Sequence, residues 1–165
     1  MTTTLSDEQL KTKLSKATEY AREGDLENAV RQLKRILESH PLHEVSMGML
    51  ASIYLQIGMH QKAIEQFEAL LTAHPKNPLA RFQLGMAWLA DGEPEKALSQ
   101  WAPMLEMDNE FMAHFHSALA LIQLGRLDEA LPLIEHARSN MPEAHPLYTK
   151  LLEIRTRLNS QLNVN

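Results

Sequence analysis

The sequence predicts an all-α fold, an α-solenoid of four helix-turn-helix repeats with a C-terminal capping helix. Three observations predict it. Glycines recur at Gly24, Gly58, Gly92 and Gly125, spaced 34, 34 and 33 residues apart. An alanine follows each glycine by five residues, at Ala29, Ala63, Ala97 and Ala130. Between these marks, apolar residues fall at helical spacing, and a fixed period of this length is the mark of stacked helical hairpins.

The elements follow in order. Residues 1–9 are a polar lead-in, expected to be partly disordered, and residues 1–6 should fray. The repeats are assigned to 10–43, 44–77, 78–110 and 111–144. Seven residues before each glycine stands a small residue (Ala17, Ala51, Gly85, Ala118), and four before it a large one (Tyr20, Tyr54, Trp88, Leu121). Nine after it stands another large one, Leu33, Phe67, Trp101 or Ile134. In the second repeat, Met47, Leu50, Ala51 and Tyr54 mark one face of a helix that Gly58 ends. Ala63, Phe67 and Leu70 then share a face of the second helix, which Pro75 stops. Two helices joined by a short turn approach closely only where facing positions lack bulk, which accounts for the small residues.

The third repeat is irregular. It is one residue short, and Asn109 replaces the closing proline found at Pro41, Pro75 and Pro142. Pro103 falls inside its second helix, where it removes a backbone hydrogen bond, so a kink is expected near Ser99 to Pro103, with a changed angle to the fourth repeat. Pro94 suits a helix start, and Pro132 is placed in about the first turn of its helix, where proline costs little. From Pro146, Leu147, Leu151, Ile154 and Leu158 keep helical spacing. Residues 145–160 therefore read as a capping helix covering the last repeat's apolar face, with residues 161–165 a frayed tail.

Composition excludes several functions. Sixteen Lys and Arg against twenty-one Asp and Glu give a formal charge of −5, which disfavours general nucleic-acid binding. There is no cysteine, so disulfides, thiolate catalysis and Cys-based zinc sites are excluded. The polar, acidic start Met1 to Glu8 is unlike a signal peptide, and the stretch without charge from Phe111 to Gly125 is too short to span a bilayer. A soluble, cytoplasmic protein is expected, with no membrane partner.

The period, the early small residue, the turn glycine, the second-helix alanine and the closing proline together resemble the tetratricopeptide repeat family. Two departures stand out. The family's early tryptophan position holds Lys13, Met47, Arg81 and His114. Its later alanine position holds Ile36, Leu70 and Met104, with only Ala137 conforming, and the added bulk should widen the gap between repeats. The resemblance implies a right-handed solenoid whose first helices line a concave, partner-binding groove. By repeat register, the first repeat contributes Lys11, Leu14, Thr18, Ala21 and Arg22 to it. The second contributes Val45, Gly48, Ser52, Leu55 and Gln56, and the third Leu79, Phe82, Met86, Leu89 and Ala90. The fourth contributes Met112, Phe115, Leu119, Ile122 and Gln123. The later half is the more apolar, and if open it would expose a patch of several hundred Å².

The function implied is a non-enzymatic protein–protein interaction module that holds an apolar or amphipathic peptide segment in that groove. Two alternatives share the groove: a self-associating structural protein whose groove is a homo-oligomer interface, possible as a homodimer, and a small secretion-type chaperone of the same family. The subgroup that clamps acidic chaperone tails needs paired cations. Its positions here hold Leu14, Thr18, Met49, Leu79 and Gln83, or, one repeat on, Gly48, Ser52, Gln83, Met112 and His116, so that activity is not expected. No cofactor or metal is expected. His114 and His116 point to different sides of a helix, while His40 and His74 occupy one repeat slot. No nucleophile elbow, P-loop or Gly-rich fingerprint is present, so no catalytic residue is assigned. Acidic pairs such as Asp128 and Glu129 sit at helix starts, where they complement the helix dipole.

Overall fold

In a computed structural model, which describes residues 5–107 and 110–162, every regular element is helical. Four α-hairpins and a last helix follow in order: α1 (Asp7–Glu23) with α2 (Leu26–Ser39), α3 (Glu44–Gln56) with α4 (His60–Ala73), α5 (Pro78–Ala90) with α6 (Pro94–Trp101), α7 (Phe111–Gln123) with α8 (Leu127–Asn140), and α9 (Tyr148–Leu162). The fold is an all-α solenoid of helical repeats. By contact it divides into two compact units, Met1–Ala87 and Trp88–Asn165, with the division inside α5.

Local chemistry starts and stops the helices. Ser6 and Gln9 form a reciprocal capping box that satisfies two otherwise orphaned N–H groups at the start of α1. Gly24 ends α1 at φ 82°, in the left-handed region, and its N–H bonds the carbonyls of the last turn. The other three turn glycines also have positive φ, so the spacing in the sequence is the spacing of one backbone turn. Asp25 then caps α2 by accepting from the Asn28 N–H; hydrogen bonds from the Asn28 side chain and backbone hold its carboxyl below the usual range.

The periodic small residues are the packing contacts. Ala29, Ala63, Ala97 and Ala130 are fully buried, as are Ala17, Ala51 and Ala118. Leu33, Phe67, Trp101 and Ile134 fill the space beside them. Ile36, Leu70 and Met104, the bulky residues at the later alanine position, are also buried.

Three expectations need correction. α1 begins at Asp7, so residues 7–9 are helical rather than lead-in, and α9 continues to Leu162, past the expected end at 160. Pro132 is the sixth residue of α8, inside the helix rather than in its first turn, so Asp128 loses the N–H that would bond its carbonyl. At Pro103 the chain does not bend a continuous helix. α6 stops at Trp101, and Ala102–Met104 form a 3-10 turn in which the Leu105 N–H reaches back to the carbonyls of Trp101 and Ala102. Pro94 takes the expected place in the first turn of α6. Asn109, the residues before Leu5 and those after Leu162 lie outside the described residues.

Candidate functional site

In the first unit, α1, α3 and α5 border a cleft of about 470 Å³, a size typical of ligand sites. Gly48 of α3 lies in its lining. The same repeat position holds Leu14 in the first repeat, Phe82 in the third and Phe115 in the fourth. With no side chain at Gly48, the buried faces of Phe67 and Leu70 on α4 line the cleft from behind α3. Val45 and Leu79, 52% and 66% exposed, stand on its walls; apolar side chains so open to water are available for burial by a partner.

The polar groups divide into two kinds. At one end Glu44 and Asn77 are committed. Asn77 Nδ2 donates to Glu44 Oε1 at 2.8 Å, while Asn77 Oδ1 accepts from the Ala80 N–H at 2.7 Å and so caps α5. His74 Nδ1 lies 3.6 Å from the same carboxylate, and its Nε2 donates to the Leu42 carbonyl. One side chain thus ties the start of α3 to the start of α5. Further along, Ser52, Gln56 and Gln83 line the cleft with no side-chain hydrogen bond among the described residues. Among the described residues, Glu44 is the one charged residue in the lining, and no cation lines it.

The structure therefore brings together Ser52, Gln56 and Leu79 of the expected groove residues, with Ala21, Val45 and Gly48 beside them. Leu55, Phe82 and Met86 are half-buried and line no part of this cleft. Met49 and Gln83, which the sequence places only at the positions of an acidic-tail clamp, also line it. Met49 joins α3 to α1, its sulfur 4.0 Å from Thr18 Oγ1. Gln83 follows Leu79 by one helical turn, which is the signal that could have found it.

In the second unit several of the apolar positions on α7 turn inward. Phe115 is 1% exposed and sits in a core with Ile134, Leu151 and Leu158. Met112, Leu119 and Ile122 are partly buried against that same core. The apolar run on α7 shares one core with α8 and α9, and Arg155 secures α9 by donating to Glu135 on α8. Gln123 is exposed at the end of α7, and Leu89 is half-buried.

Among the described residues, no three His, Asp or Glu side chains converge as metal ligands. His114 and His136 stack with ring centroids 3.8 Å apart, and the His114 Nδ1–H donates to the Glu110 carbonyl. His116 packs against Phe115 and Trp101; burial first, and the Lys150 charge second, lower its pKa to about 4. Among the described residues, no helix is long and apolar enough to cross a membrane.

Family models for the tetratricopeptide repeat match residues 14–78 and 49–105, and a further one matches 112–136. No curated protein matches the chain by sequence. Among solved structures, MamA (residues 41 to the end) from Desulfovibrio magneticus RS-1 is 19% identical; the match covers 96% of this chain and 87% of that one, with a TM-score of 0.84. MamA AMB-1 is 21% identical over 96% of this chain and 85% of its own, TM-score 0.77. YrrB, described as a TPR protein with an unusual peptide-binding site, is 20% identical over 92% of this chain and 76% of its own, TM-score 0.75. At these identities the likeness is one of fold.

Proposed function

The chain belongs to the tetratricopeptide repeat family, and from that premise we propose that it is a non-enzymatic interaction module that holds a peptide segment of another protein. The cleft at Gly48 carries this reading. It pairs exposed apolar walls with three polar side chains that have no side-chain hydrogen bond among the described residues. Burying the walls contributes about 25 cal/mol per Å², less the cost of ordering the ligand. The polar side chains supply direction, as hydrogen bonds do in most ligand sites.

The site proposed is narrower than the full set of first-helix positions. Ser52, Gln56 and Leu79 belong to it, joined by Met49 and Gln83, whereas Phe115 serves the core of the second unit. YrrB's described peptide-binding site agrees with a peptide as ligand.

Selection of a random peptide display library on the purified chain tests the reading. Peptides rich in bulky apolar residues should be enriched, and Leu79→Glu should release them with helical content unchanged. Failure to enrich any peptide would overturn it, as would a concentration-stable dimer that protects Val45 and Leu79 from solvent. That last outcome would instead support a homo-oligomer interface.

A further inference from the structure

Building on that reading, we infer that the Gly48 cleft is an anchor pocket for one bulky, uncharged apolar side chain of a partner segment bound in extended form, with Gln56 and Gln83 bonding that segment's main chain. Three observations select this occupant. First, the cleft opens at the repeat position that carries Leu14, Phe82 and Phe115 elsewhere in the chain, so a partner's leucine- or phenylalanine-sized group takes the place of the side chain that Gly48 lacks. Second, the charge in the lining belongs to Glu44, which already accepts from Asn77 and faces His74; among the described residues no cation in the lining stands ready for a phosphate or a carboxylate. A fatty acid, a nucleotide or an acidic side chain would be desolvated there without a partner. Third, each glutamine amide offers both a donor and an acceptor, and neither is used among the described residues. An extended main chain presents the matching pair at every residue, whereas the main chain of a helix is bonded to itself.

Methyl-detected NMR titration of the full chain with small probes tests this. The probes are the capped tripeptides Gly-Phe-Gly, Gly-Leu-Gly and Gly-Ala-Gly, together with toluene and octanoate. The phenylalanine and leucine tripeptides should shift the methyls of Val45, Met49 and Leu79 and saturate. The alanine tripeptide should bind at least ten-fold more weakly, and octanoate more weakly than either bulky tripeptide. Gly48→Leu should weaken the phenylalanine tripeptide at least ten-fold. If that variant loses helical signal, Gly48→Ala carries the comparison with an expected weakening of about three-fold. Gln56→Ala with Gln83→Ala should weaken the tripeptide and leave toluene unchanged, which a purely structural role for the glutamines would not produce.

Equal binding of the phenylalanine tripeptide to wild type and Gly48→Leu would overturn the inference, as would a preference for octanoate. Library-selected peptides that bind Gly48→Leu as tightly as wild type would remove the anchor pocket and leave the interaction module standing. A library that yields no peptide would remove both.

Discussion

The Cδ2 of Leu70 on α4 lies 3.6 Å from where a Cβ on Gly48 of α3 would stand, which is ordinary van der Waals contact. A glycine inside a helix gives up about 1 kcal/mol of helix stability relative to alanine. At Gly48 nothing in the backbone requires that loss, because no positive φ and no close approach is present. What the glycine provides is open space above Leu70.

Gly48 and Gly58 should therefore respond oppositely to alanine. Gly48→Ala should raise stability by about 1 kcal/mol, since the added methyl fits and the helix propensity improves. Gly58→Ala should lower it by about 1 kcal/mol, because Gly58 holds φ 75° although nothing lies within 4 Å of its Cβ position. Urea denaturation of both variants checks the pair. The same sign for both would contradict this account of the glycines.

Acid should weaken the chain through His116. Its pKa falls from the ordinary 6.5 to about 4 in the folded state, through burial and then the Lys150 charge. The unfolded chain thus takes up a proton at higher pH than the folded one. The contribution is whole above about pH 6.5 and is lost as pH falls toward 4, amounting to roughly 3 kcal/mol. Replacing His116 by Leu should flatten the stability profile across that window, as read by denaturation at pH 7 and pH 4.5. An unchanged slope would count against it.

The capping helix should loosen when Glu135 loses its charge. Burial raises the Glu135 pKa, but hydrogen bonds from Arg138 and Arg155 outweigh that and hold it below the usual range. Glu135→Gln should speed amide exchange along α9 and destabilise by about 1 kcal/mol, a modest figure because these side chains are partly solvated. Protection of α9 equal to wild type would show that Leu151 and Leu158 hold it unaided.

Pro132→Ala should stabilise α8 by about 1 kcal/mol or more. It restores the N–H that the Asp128 carbonyl lacks and removes a ring from an exposed position inside the helix. A lower melting temperature for this variant would mean that the ring makes a packing contact that outweighs the missing bond.

The fold was legible in the sequence because its repeating unit depends on residues of extreme size. A turn at positive φ takes glycine, and two close helices take alanine, so Gly24 and Ala29 recur with the backbone period. The candidate site was less legible. Groove membership was read from register alone, and register does not say how deeply a side chain sinks. Phe115 occupies the same column as Gly48 yet is buried under α8 and α9. The sign of the cleft was nonetheless present, as the one small residue in a column of Leu14, Gly48, Phe82 and Phe115. Pro132 was misplaced for a simpler reason: α8 starts at Leu127, and nothing in the sequence fixes that start to within a residue or two.

The most direct test of the central claim is intermolecular proton contact in the complex with a library-selected peptide, measured by isotope-filtered NMR. The account predicts contacts from one bulky apolar side chain of the peptide to the methyls of Met49, Leu70 and Leu79. Contacts confined to residues outside α1, α3, α4 and α5 would contradict it.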